Sequence, residues 1–253
     1  MALVVPLALF DGFVFHPVRG LDATPADSGL PYEEVEVRAD DGVKLHNWLI
    51  PAPGAATLLW LHGNAGTMAD RLDQAAVLHR AGISLFMVGY RGYGLSGGHP
   101  SEKGLRRDAV ACLRELRRRR AGPVVLFGQS LGGGVAIDLA SRERVEGLVL
   151  EATFTSIADM VREAVGVPLG FLFSSRFESL AKIPRVRAPM LFLHGDRDEV
   201  VPLAMGRRLF AAARAPKELH VVAGAGHNDV YVVGAQAYVE RVRRFVESIA
   251  APP

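Results

Sequence analysis

Six short apolar runs constrain this chain more than any other feature: "TLLWLH", "ISLFMVGY", "PVVLFG", "EGLVLEA", "PMLFLHG" and "KELHVVA". Runs this short, with no polar alternation, fit strands buried on both faces, as in a parallel sheet covered by helices. Helical periodicity fills most of the gaps, at about 69 to 81, 102 to 120, 131 to 142, 202 to 214 and 228 to 249. Strands alternating with helices predict a mostly parallel, doubly wound α/β sheet. Ahead of the first run, "EEVEVRA" and "VKLHNWLI" flank the turn "DDG" and predict an antiparallel hairpin leading into that sheet.

The 253 residues fit one α/β unit. A hydrophobic content of 49% with 22% charged residues excludes a disordered or fibrous chain. A net charge of +2 gives no reason to expect a nucleic-acid partner. The densest basic cluster, Arg117 to Arg120, reads as a solvated helix end, where cations suit the helix dipole and no aromatic side chains are interleaved to stack on bases. The single Cys112 cannot form an intrachain disulfide and falls in an apolar helical pattern, so it reads as core.

Residues 1–32 are expected to form an apolar lead and irregular arm, ahead of a domain spanning 33–253. The lead "MALVVPLALF" is too short to span a bilayer and lacks the positive start of a signal peptide. Residues 2–15 read first as a segment packed on the domain, with a peripheral membrane contact or the remnant of a trimmed anchor as alternatives, and the expected location is cytoplasmic or peripherally membrane-associated. One connection, about 153–188, is longer than a crossover needs and is expected to form a small cap. Its Phe154, Phe171, Phe173 and Phe177 are the candidate substrate-binding residues.

In an open parallel sheet, ligands bind beyond the carboxyl ends of the strands, and four of those ends carry reactive residue types. "VLFGQSLGGG" has the strand, sharp turn and helix that an exposed nucleophile requires, with Ser130 at the turn. Gly128 and Gly132 flank it where neighbouring segments come too close for side chains, and Gly133 and Gly134 are expected to let the helix approach the sheet. A serine hydroxyl needs a base, and the base an orienting partner. His227, in "AGAGHND" after the last predicted strand, fits the base best. His62 and His194 begin "HG" turns and read as loop braces. The acid is expected from "LFLHGDRDEVVP", with Asp198 favoured and Asp196 and Glu151 as fallbacks. Two N–H donors must then face the oxyanion: that of Leu131, just after the serine, and that of Asn64 in "LHGNAG". This glycine loop has neither the P-loop lysine nor the Rossmann spacing, and no residue group has metal-ligand spacing, so neither metal nor cofactor is expected.

From about residue 33 onward the chain resembles the α/β-hydrolase superfamily, on six motifs in order: "HGNAG", "GYRGYGLSGG", "GQSLGG", "FTS", "HGDRDEVVP" and "GAGHND". The resemblance implies a nucleophile at Ser130, a general base at His227, an orienting acid at Asp198, and an oxyanion hole at Asn64 and Leu131. It also implies a small-molecule ester as substrate. The expected activity is carboxylic ester hydrolysis of short to medium acyl chains. The alternatives are an acyl thioesterase or lipid-ester hydrolase, then an amidase or peptidase, then a non-catalytic receptor on the same fold. Tyr90 and Arg91 of "GYRGYGLSGG" are assigned to structure.

Overall fold

The computed structural model describes residues 14–165 and 177–250. Eight strands form one sheet in the order β1-β2-β4-β3-β5-β6-β7-β8. They are β1 (Glu33–Arg38), β2 (Lys44–Ile50), β3 (Thr57–Leu61), β4 (Ser84–Val88), β5 (Val124–Gln129), β6 (Gly147–Glu151), β7 (Met190–Gly195) and β8 (Lys217–Val222). β1 pairs antiparallel with β2, Arg38 opposite Lys44 across the turn, and β2 pairs antiparallel with β4. Every other pairing is parallel. The expected mostly parallel sheet, led in by a hairpin, is what the chain forms.

The helices are α1 (Leu72–Arg80), α2 (Glu102–Arg119), α3 (Leu131–Ala140), α4 (Ile157–Val165), α5 (Ser179–Lys182), α6 (Leu203–Ala212) and α7 (Val230–Ala250). Ser101 caps α2 by accepting the Gly104 N–H at 3.0 Å, and arginines close its last turn against Glu115. Because side chains alternate along a strand, each central strand feeds two cores. Leu59, Leu61 and Leu126 join residues of α2, α3 and α6 on one face, among them Leu113, Val135 and Leu209. Leu58, Trp60 and Phe127 join α1 and α7 residues such as Leu78 and Val242 on the other. Trp60 meets Phe127 edge to face at 4.8 Å.

One strand departs from the reading of its sequence. "KELHVVA" was expected to be buried on both faces, yet Lys217 and Glu218 of β8 are exposed and only Val222 of the strand is buried. β8 is the edge and pairs with β7 alone, so half of its surroundings is solvent.

The strand order also fixes where the carboxyl ends diverge. From β3 the chain crosses to β4 on one side and later to β5 on the other, leaving a crevice between the loops after β3 and β5. Residues 14–19 of the arm dock beside it. Val14 and Phe15 are buried, and Pro17 and Arg19 make isolated parallel bridges to Gly66 and Gly94.

Candidate active site

Ser130 is the single residue between β5 and α3, with φ 51° and ψ −115°, a region that costs a non-glycine residue strain. Its N–H donates to Glu151 O at 2.9 Å, and its own carbonyl accepts the Gly133 N–H at 2.9 Å. The turn closes only because Gly132 lacks a side chain: a Cβ there would lie 1.8 Å from Leu61 O. Gly134 does not serve the sheet as expected. Its open side faces the Phe177 ring, 3.0 Å from where a Cβ would stand, because the insert folds back over this turn of α3.

The loop after β8 brings His227 Nε2 to 3.0 Å from Ser130 Oγ and Nδ1 to 2.8 Å from Asp198 Oδ2. A carboxylate only accepts, so the proton sits on Nδ1 and Nε2 is left to take the serine proton. The Asp198 carboxylate is held from two more sides. Oδ1 accepts the N–H groups of Val200 (3.0 Å) and Val201 (2.7 Å), and Oδ2 lies 3.3 Å from His194 Nε2. Burial alone would raise its pKa, but hydrogen bonds from His194, His227 and Val201 outweigh burial and hold it below the usual carboxylate range.

The fallback acids sit elsewhere. Asp196 is exposed and accepts the Gly224 N–H at 2.6 Å. Glu151 is buried and accepts from Tyr238 Oη (2.6 Å), Gln129 Nε2 (2.8 Å) and Gln74 Nε2 (3.2 Å). Burial pushes its carboxyl pKa up.

Both braces expected at "HG" turns are in place. His62 Nδ1 lies 2.7 Å from Gly63 O, its ring against Tyr90 and Tyr93, and burial pulls its pKa down to about 4, keeping it neutral. His194 Nε2 lies 2.8 Å from Val201 O. Leu131 opens α3, where the first N–H groups have no intrahelical acceptor. The Asn64 side chain is already committed: Nδ2 donates to Val14 O (2.5 Å), and Oδ1 accepts from His16 N (3.1 Å) and Tyr93 Oη (2.8 Å). That leaves its main-chain N–H as the donor it can offer an oxyanion.

Ser130, His227, Asn64 and Leu131 line a cavity of about 630 Å³. Phe154, Ile157, Met160, Val161 and Val200 give it apolar surface; Val14, His16, Ala65 and Arg71 come from the arm and the chain after β3. Of the four candidate phenylalanines, Phe154 lines this cavity, whereas Phe177 is fully buried, edge-on to Phe15 and Phe154. Phe177 therefore packs behind the cavity and does not face substrate. Phe171 and Phe173 lie outside the described residues. Sequence reasoning missed Ile157, Met160 and Val161, whose i, i+3, i+4 spacing on α4 was the available signal. It also missed Arg71 and the arm residues, which no local pattern marks.

Residues 52–182 match the family model described as serine aminopeptidase, S33. The chain is 37% identical over 246 residues to an uncharacterized protein of Mycobacterium tuberculosis, covering 94% of this chain and 87% of the relative. It is 35% identical over 283 residues to the alpha/beta hydrolase domain-containing protein WAV2 of Arabidopsis thaliana, covering 99% and 91%. Among solved structures, the esterase PF2001 of Pyrococcus furiosus superposes with a TM-score of 0.80 at 21% identity, covering 94% of this chain and 99% of that one, a likeness of fold. Among the described residues no His, Cys, Asp and Glu group could hold a metal ion, and no helix is long and apolar enough to cross a membrane.

Proposed function

The chain belongs to the α/β-hydrolase superfamily, and from that premise we propose that it is a serine hydrolase cleaving carboxylic esters through an acyl-enzyme. The observation that carries this reading is the continuous hydrogen-bonded chain from Ser130 through His227 to Asp198, opening on a cavity with apolar walls. His227 takes the proton as Ser130 Oγ attacks the acyl carbonyl. The oxyanion is held by the N–H groups of Asn64 and Leu131. His227 Nε2 then protonates the leaving alcohol, and water repeats the sequence on the acyl-enzyme. Asp198 keeps the histidine in the required tautomer and stabilises the imidazolium.

In this reading a short to medium acyl chain lies against the apolar walls of the cavity of about 630 Å³. The test is a rate panel of p-nitrophenyl esters from acetate to palmitate, with an acyl-CoA and an aminoacyl anilide alongside. The expected result is a maximum at short to medium chains that is abolished by Ser130→Ala. Preference for the thioester or for the anilide would replace the ester reading. Poor labelling of Ser130 by a fluorophosphonate probe would point to a receptor with a silent triad.

A further inference from the structure

Arg71 stands at the entry to α1, and it is the one permanently charged side chain among the described residues that line the cavity. Its hydrogen bonds all run to neutral oxygens: Nε to Gln129 Oε1 (2.9 Å), Nη2 to Ala65 O (3.1 Å) and Nη1 to the main-chain carbonyl of Asp70 (3.4 Å). Neither neighbouring carboxylate bonds the guanidinium. Asp70 Oδ2 accepts from Thr67 N (2.6 Å) and Thr67 Oγ1 (3.2 Å), and Glu151 is saturated by Tyr238, Gln129 and Gln74. Arg91 shows the contrast, since two carboxylates, Asp41 and Asp108, embrace it.

A guanidinium offers five N–H groups in a planar fork, so these bonds leave a donor on each terminal nitrogen. Desolvation pulls the Arg71 pKa down from its usual value, outweighing the attraction of the nearby Asp70 and Glu151 charges. Arg71 and the nucleophile flank the same glycine. A methyl group on Gly63 would stand 3.5 Å from Ser130 Cβ and 3.7 Å from Arg71 Nη2. A planar fork of that kind is shaped for a carboxylate or a phosphate.

Resting on the serine hydrolase reading, we infer that Arg71 determines specificity by selecting esters that carry an anionic group, carboxylate or phosphate, over the loop that follows β3. The apolar surface from α4 takes the hydrocarbon part, and the anion completes the fork. Arg71 also braces Ala65 and Gln129, but a brace alone would affect neutral and charged substrates equally.

The test pairs each charged ester with a neutral counterpart: p-nitrophenyl hemisuccinate with p-nitrophenyl butyrate, and 1-butyrylglycerol 3-phosphate with 1-butyrylglycerol. Wild type is expected to favour the charged member of at least one pair by about 10- to 100-fold in kcat/KM, expressed in KM, as for a hydrogen bond to an ion. Arg71→Gln should abolish that preference, read as the charged-to-neutral ratio of kcat/KM so that any loss from the missing brace cancels, and Arg71→Lys, keeping charge without the fork, should retain part of it. The pair that responds identifies the anion. The same ligands are titrated calorimetrically into Ser130→Ala and Ser130→Ala/Arg71→Gln, so anion selectivity is read without turnover. Selectivity there that depends on Arg71 supports the inference even if wild type hydrolyses none of the esters, an outcome that would count against the esterase reading alone. Equal affinity for charged and neutral ligands, or a parallel loss of both with Arg71→Gln, overturns it.

Discussion

Asp198 accepts donors from four directions, and each has a different consequence. The bond to His227 Nδ1 sets the tautomer, so Asp198→Asn is expected to lower kcat by about 10⁴-fold with the fold intact. A loss under tenfold in ester turnover would mean that another carboxylate orients His227. That bond, with those from His194 and Val201, also holds the carboxylate below its ordinary pKa of 3.8 against the effect of burial. A group whose folded pKa is depressed contributes stability that is fully present above its unfolded pKa and is lost as pH falls through the folded value. The Tm advantage of wild type over Asp198→Asn should therefore shrink as pH drops below about 4. An advantage unchanged down to pH of about 2 would refute this assignment. The pair of candidates in "GDRDEVVP" shows how far residue types reach. Both aspartates are equally acidic as letters, but Asp196 turns outward to Gly224 while Asp198 turns inward to His227.

At the scale of elements, the loop after β3 depends on the arm. The Asn64 side chain spans from Val14 O and His16 N to Tyr93 Oη, tying three separate segments to the loop that carries the proposed oxyanion donor. Asn64→Ala keeps the main-chain N–H but frees the loop, so kcat is expected to fall by about tenfold or more with a smaller change in KM. Single-turnover kinetics would check this, and unchanged kcat would show that the loop holds itself. The turn between β5 and α3 is stricter. Gly132→Ala drives a methyl into Leu61 O, and overpacking here is expected to cost about 3 kcal/mol or more, read as a lower urea midpoint. The glycine spacing announced a close approach, but not which strand made it. Gly132 meets β3, while Gly134 meets a phenylalanine more than forty positions away in the chain.

Across the whole molecule, Arg91 joins the hairpin, the loop after β4 and helix α2. It bonds Asp108 through Nε (2.9 Å) and Nη2 (2.7 Å), and Asp41 through Nη1 (2.7 Å). Asp108 is fully buried, so Arg91→Met strands its charge at a cost of about 3–5 kcal/mol. For a domain of this size that is a Tm loss of roughly 6–20 °C, with ester turnover at low temperature retained. A melt shifted by under about 3 °C would refute the hub role. Here the local reading of "GYRGYGLSGG" as a braced turn agrees with the structure, although the partners are 17 and 50 positions distant. Five of the six apolar runs announced buried strands by themselves, and their alternation with helices announced a parallel sheet, because a run without polar alternation carries burial on both faces in its own letters. The Ser130 turn was legible for the same reason, since backbone geometry there is set by adjacent residues. Only the tertiary structure decided that Phe177 lies behind the cavity, that β8 is an edge, and that Arg71 enters the site with no carboxylate bonded to its guanidinium. Those facts depend on which distant surfaces meet, and no local pattern of residues encodes a meeting.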